Sequence, residues 1–151
     1  MKLEKFIEVH SENKISTFIF VLVDTISVSL FSFYWIGVNR KNLRNYFGTE
    51  LISNNLFYFL IILSGIDIWL LAFEDDLTDH YNLWIITIVV FILFRVIAFS
   101  IANEFKIQFI KEKIKLPEEV NFNLFFTILF GFYYINYKLN QLCDLEVVKK
   151  K

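Results

Sequence analysis

The chain has 151 residues, of which 56% are hydrophobic and 21% charged, with a net charge of −1 and a mean hydropathy of +0.52. Soluble domains hold about 45–50% apolar residues, and here the apolar residues also come in blocks, so the composition is that of a membrane protein with one domain. The balanced charge excludes a basic nucleic-acid-binding domain. The single cysteine, Cys143, excludes an internal disulfide or a cysteine metal cluster.

The first fourteen residues, MKLEKFIEVHSENK, set Leu3, Phe6, Ile7 and His10 at helical spacing with charges between them. This pattern predicts a short N-terminal helix lying in the membrane interface, with His10 on its apolar edge. The apolar segment that follows is too long for the core of a signal peptide and ends in Phe33-Tyr34-Trp35, so it is expected to be retained.

Four apolar segments, at approximately 15–38, 54–73, 83–102 and 120–137, each approach the ~20 residues that cross a bilayer. The fold expected is therefore all-α: a polytopic membrane protein with four transmembrane helices. In the first segment Thr17, Asp24, Thr25, Ser29 and Ser32 fall within one helical sector. Such a small, polar stripe suits close helix contact. Arg40-Lys41-Asn42-Leu43-Arg44 is expected to end that span in a basic loop. The second and third segments form a hairpin around the acidic connector 74–82, and each carries one buried-type charge, Asp67 and Arg95. Charges at that depth are costly unless they meet or reach water.

Counting the ~1.5 Å rise per residue puts Asp24 and Asp67 at one level, with Arg95 one to two turns deeper. Side chains lean toward their helix N-terminus, which closes the gap between Asp67 and Arg95. These two are expected to pair, leaving Asp24 near solvent or bonded through Thr25 and the serines. Together the three form an intramembrane polar layer.

The segment after Ala102, NEFKIQFIKEKIKL, either extends the third helix to Pro117 or bends into the interface. Pro117-Glu118-Glu119 opens the last span, which closes on an aromatic belt and Lys138, and the tail QLCDLEVVKKK is expected to be mobile. Under four spans the Lys and Arg residues divide evenly between the two faces. The acidic connector and the basic loop at Arg40 and Arg44 tilt the loops 39–53 and 103–119 toward the cytoplasm.

FSFYWIGVNRKNL (31–43) overlays FGFYYINYKLNQL (130–142) without gaps. As a true repeat it would place these two ends on opposite membrane faces. The second copy, LFGFYYINYKLNQL, resembles the last span of small, uncharacterised bacterial multi-span proteins ending in FGxYYxxYKxN. The Phe/Ile/Asn/Lys-rich composition is similar to that of immunity proteins against pore-forming bacteriocins. These resemblances imply a multi-pass protein of a bacterial inner membrane.

No nucleophile–base pair, zinc motif or phosphate loop is present, so no catalytic residue, metal or cofactor is expected and the chain is read as a non-enzyme. The expected partners are membrane lipid and another membrane protein or a second copy, with no nucleic acid. The function these features fit is helix–helix interaction with a membrane partner, as an assembly subunit or an immunity-type protein. The alternative is an oligomeric channel or transporter subunit for protons, ions or a small solute.

Overall fold

A computed structural model describes residues 2–27, 30–73, 81–113 and 121–149. Among them every regular element is helical: α1 (Lys2–Glu12), α2 (Thr17–Ile26), α3 (Leu30–Phe47), α4 (Asn54–Phe73), α5 (Tyr81–Lys111), α6 (Leu124–Phe130) and α7 (Phe132–Lys149). One stretch, Trp84–Lys111 in α5, is long and apolar enough to cross a membrane, and Thr17–Ile26 and Asn54–Ile66 are shorter apolar stretches.

The first apolar segment is not one helix. α2 ends at Ile26 with Ser27 as its cap, α3 begins at Leu30, and the two run antiparallel. Phe20 stacks on Trp35 at 6.2 Å, and His10, ahead of α2, lies 3.1 Å from Asn39, near the middle of α3. A straight helix would hold residues 10 and 39 roughly 40 Å apart. The reversal is possible because the N–H groups of the first turn of α3, which have no partner within their own helix, find acceptors across the turn. Leu30 N–H donates to Ser27 O, Phe31 N–H to Ser27 Oγ and Ser32 N–H to Asp24 Oδ1.

The last segment reverses too. α6 stops at Gly131, whose φ of +55° favours glycine. α7 then folds back, with Phe126 and Tyr134 rings 5.9 Å apart and Tyr134 Oη accepting from the Asn123 N–H. The two returning helices, α3 and α7, both start at a reversal and run toward α1. Tyr133 reaches Asp24 at the level of Ser32, and Asn136 reaches Trp35. The repeat expected to run inverted is therefore parallel, and its two copies begin within two residues of the two returning helices.

The apolar face of α1, expected to lie in the membrane interface, is covered by protein instead. Its Leu3, Phe6, Ile7 and His10 are buried against α3, α5 and α7, where Phe6 meets Tyr46 and Phe105 and Ile7 O accepts from Cys143 Sγ. The basic stretch Arg40–Arg44 does not end its segment either. α3 continues through it to Phe47 and turns at Gly48, with φ +75°. α5 runs unbroken to Lys111, which settles the open choice after Ala102 as far as that residue. The sequence after Lys138 stays helical to Lys149 because Leu139, Leu142 and Cys143 repeat on one buried face.

α4 packs on α5 and starts at the same end of the molecule as α1. Phe57 lies beneath Arg40, its ring 4.6 Å from the guanidinium, while Ser64 and Ile68 stand level with Asp24. The α4–α5 hairpin thus projects past both reversals, by roughly 14–21 Å at 1.5 Å per residue. The elements carrying the described Lys and Arg residues other than Arg95 gather at the α1 end, and the connector 74–82 holds four acids and no cation.

Candidate functional site

The two reversals meet at one level, and the site is built from what they bring there. Asp24, 2% exposed, accepts three hydrogen bonds: from Ser32 N–H at 2.6 Å, Ser32 Oγ at 2.9 Å and Tyr133 Oη at 2.7 Å. A buried carboxylate is tolerable only with such donors. Here the donors also tie α2 to the start of α3 and to the start of α7. The expectation of hydrogen bonding through the serine stripe holds for Ser32. It fails for Thr25, which is exposed and donates to Val21 O. Asp24 is also not near solvent, because both hairpins close over it. Thr17 accepts from Asn136 Nδ2 at 3.3 Å, which joins α2 to α7. Ser29 and the side chain of Asp67 lie outside the described residues, and so does the Asp67–Arg95 pair.

Arg95 comes in from α5, half-buried, with its guanidinium 4.6 Å from the Phe91 ring and pressed against Gly131. A Cβ at Gly131 would lie 2.5 Å from Arg95 Nη1. Glycine is favoured there for its φ, and a larger residue would also push the end of the Arg95 side chain aside. Among the described residues no carboxylate stands within ion-pair distance of Arg95.

Asp24, Ser64, Thr87, Phe91, Arg95 and Tyr133 line a cavity of about 260 Å³ between the two reversals and the α4–α5 hairpin. Ser64 is 6% exposed and its hydroxyl has no hydrogen-bond partner among the described residues. The cavity is slightly smaller than the ~300–1,000 Å³ of drug-sized sites, so what it admits is small. Its walls offer a clamped carboxylate, a guanidinium and a free hydroxyl amid aromatic rings.

Sequence reasoning found Asp24, Arg95 and Ser32 but missed Ser64, Gly131 and Tyr133. Tyr133 reads as a membrane-belt aromatic until the α6–α7 reversal turns it inward. The available signal was the repeat, which lays Gly131 over Ser32 at the two reversals.

A second polar cluster holds α1. His10 faces Asn39 on α3; Asn39 Nδ2 donates to Trp35 O, Trp35 Nε1 donates to Asn136 Oδ1, and Asn136 and Asn140 each donate to Ile15 O. Burial lowers the pKa of His10 below the usual 6.5, against the opposing pull of the Asn39 and Asn140 side chains. Cys143 is buried beneath α1, and burial pushes its thiol up to about 11. No group of three or more His, Cys, Asp or Glu among the described residues could hold a metal ion.

No protein-family model, curated protein or solved structure matches the chain.

Proposed function

We propose that the protein is a multi-pass membrane protein whose interrupted segments build an internal site for a small solute or ion, and that it acts as a binding or conducting subunit. In this reading the α4–α5 hairpin crosses the bilayer. The α2–α3 and α6–α7 hairpins enter from the α1 end: α2 is about 15 Å long, half of a ~30 Å hydrocarbon core. The large exposed apolar residues support this placement, since Phe18, Ile62, Trp69, Ile88, Phe91 and Phe125 all sit on the elements that would meet lipid. In α5 only 28% of the most apolar window is buried, unlike the core helix of a soluble protein. The lysines and arginines at the α1 end make that end cytoplasmic by the positive-inside rule.

The observation that carries the functional reading is the cavity itself. Irregular backbone at mid-membrane depth is tolerated where it lines a cavity, and broken helices that meet near the midplane are a recurrent way to hold a solute. The test is flux of protons, small cations and small organic solutes through liposomes containing the purified protein. The expected result is flux that falls at least tenfold in Asp24→Asn and Ser64→Ala and persists in Phe126→Leu, on the outer face of α6. Flux untouched by either cavity change would overturn the reading.

Docking of a partner's helix is the second reading, supported by α4. Its main packing neighbour is α5, and Tyr58, Phe59, Ile62 and Trp69 are left open on its other sides. A stoichiometric membrane protein co-purifying from native membranes and lost in Ile62→Arg would favour it.

A further inference from the structure

A second cavity lies at the α1 end, where α3 finishes and α4 begins. It measures about 230 Å³ and is lined by Arg40, Lys41, Arg44, Thr49 and Glu50 over a floor that includes Phe47 and Ile52. Three cations face one acid, and that acid is already engaged, with Arg44 Nη1 3.5 Å from Glu50 Oε1. Arg40 is the distinctive member. Its guanidinium is held over the Phe57 ring at 4.6 Å, and its Nη1 is buried without a hydrogen-bond partner among the described residues. A buried guanidinium N–H left unmet is costly unless an acceptor arrives from outside the chain. Asn54 at the start of the 20-residue α4 adds the positive end of a helix dipole to the same cavity.

The position identifies the acceptor. Arg40 follows directly on the apolar part of α3, and Asn54 directly precedes the apolar part of α4. The cavity therefore sits where the apolar surface ends, at the level of lipid phosphates, and its apolar floor suits a glycerol backbone. We propose that this cavity binds the headgroup phosphate of an anionic phospholipid of the cytoplasmic leaflet, with Arg40 and Arg44 as its direct ligands and Lys41 at its rim. The proposal rests on the membrane placement given above. It is independent of the solute site between the hairpins.

The experiment titrates the detergent-purified full chain with dioleoylphosphatidylglycerol, dioleoylphosphatidylcholine and inorganic phosphate, reading bound lipid by native mass spectrometry and thermal unfolding. Wild type should bind phosphatidylglycerol at least about tenfold tighter than phosphatidylcholine. Each of Arg40→Gln and Arg44→Gln should weaken this about fivefold, as expected for one cation near a membrane surface, and Lys5→Gln, on α1, should leave it unchanged. Arg44, with 62% of its side chain exposed, is the variant that keeps the fold if Arg40→Gln does not. Equal affinity for the two lipids, full competition by millimolar phosphate, or a preference that survives both arginine changes would overturn the headgroup site. A chain that stays in solution without detergent would instead overturn the membrane placement.

Discussion

The two ends of α5 show how one helix serves two environments. From Trp84 to Val96 its large residues lie open, among them Trp84, Ile88, Phe91 and Val96, each more than half exposed. From Ile97 to Phe109 they are shut in, with Ala98, Ile101, Ala102 and Phe105 fully buried against α1, α3, α6 and α7. The open half is also the more apolar in sequence: Thr87 and Arg95 are the polar residues of 84–96, whereas Ser100, Asn103, Glu104, Lys106 and Gln108 punctuate 97–109. Their neighbours differ in the opposite sense: four elements close around the second half, whereas α4 and the tips of two short hairpins flank the first. The uncovered apolar face of the first half is the observation on which the proposed membrane placement rests.

Equivalent truncations should break the two halves unequally. Phe105→Ala removes a ring packed on Phe6, Tyr46, Phe47, Phe109 and Phe122, and should cost about 3–5 kcal/mol. Ile88→Ala, on the open face, should stay within about 0.5 kcal/mol. Denaturant titration in mild detergent measures both, and equal losses would erase the distinction.

The boundary between the halves is the level of Arg95 and the two reversals. Gly131→Ala should destabilise by about 1–3 kcal/mol through backbone strain, and in addition displace the guanidinium of Arg95. The same titration reads the loss, and a neutral result would mean that α6 and α7 do not reverse there. Tyr133→Phe should cost about 1.5 kcal/mol by removing one of the three donors to Asp24. An unchanged midpoint would show that Ser32 alone satisfies the carboxylate.

At the closed end, pH supplies a gentler test. His10 has a lowered pKa in the fold, so the unfolded chain binds more protons just below pH 6.5. Stability should therefore be at its full value above that pH and fall as pH drops through it, with the dependence reduced in His10→Gln. A rise in stability on acidification would contradict the burial of His10.

Much of this was legible in the sequence for local reasons. The face Leu3–Phe6–Ile7–His10 on α1 and the apolar runs of α4 and α5 follow directly from periodicity, and Asp24 and Arg95 stand out as charges among apolar residues. The reversals were not legible, because a hydropathy profile sees 15–38 and 120–137 as continuous. The residues that break them, Ser27 and Gly131, are small ones that a membrane helix also accepts. Once a segment doubles back, every face drawn on a straight helix rotates. That is why Phe33 and Trp35, near the end of the first apolar run, are buried, Phe33 against Phe94 and Trp35 against Phe20 and Asn136. In the proposed placement the first and last segments are not crossings, and the even split of Lys and Arg between two faces no longer applies.

Sidedness tests the central claim most directly. In a Cys143→Ala background, Glu12→Cys and Glu50→Cys place exposed thiols before α2 and after α3, and Asp76→Cys places one in the connector between α4 and α5. With a membrane-impermeant maleimide on sealed inside-out vesicles, Glu12→Cys and Glu50→Cys should both label and Asp76→Cys should not, with the reverse in right-side-out vesicles. Labelling of positions 12 and 50 from opposite sides would mean that residues 15–38 cross the membrane as one span, and would contradict the paired hairpins on which the site depends.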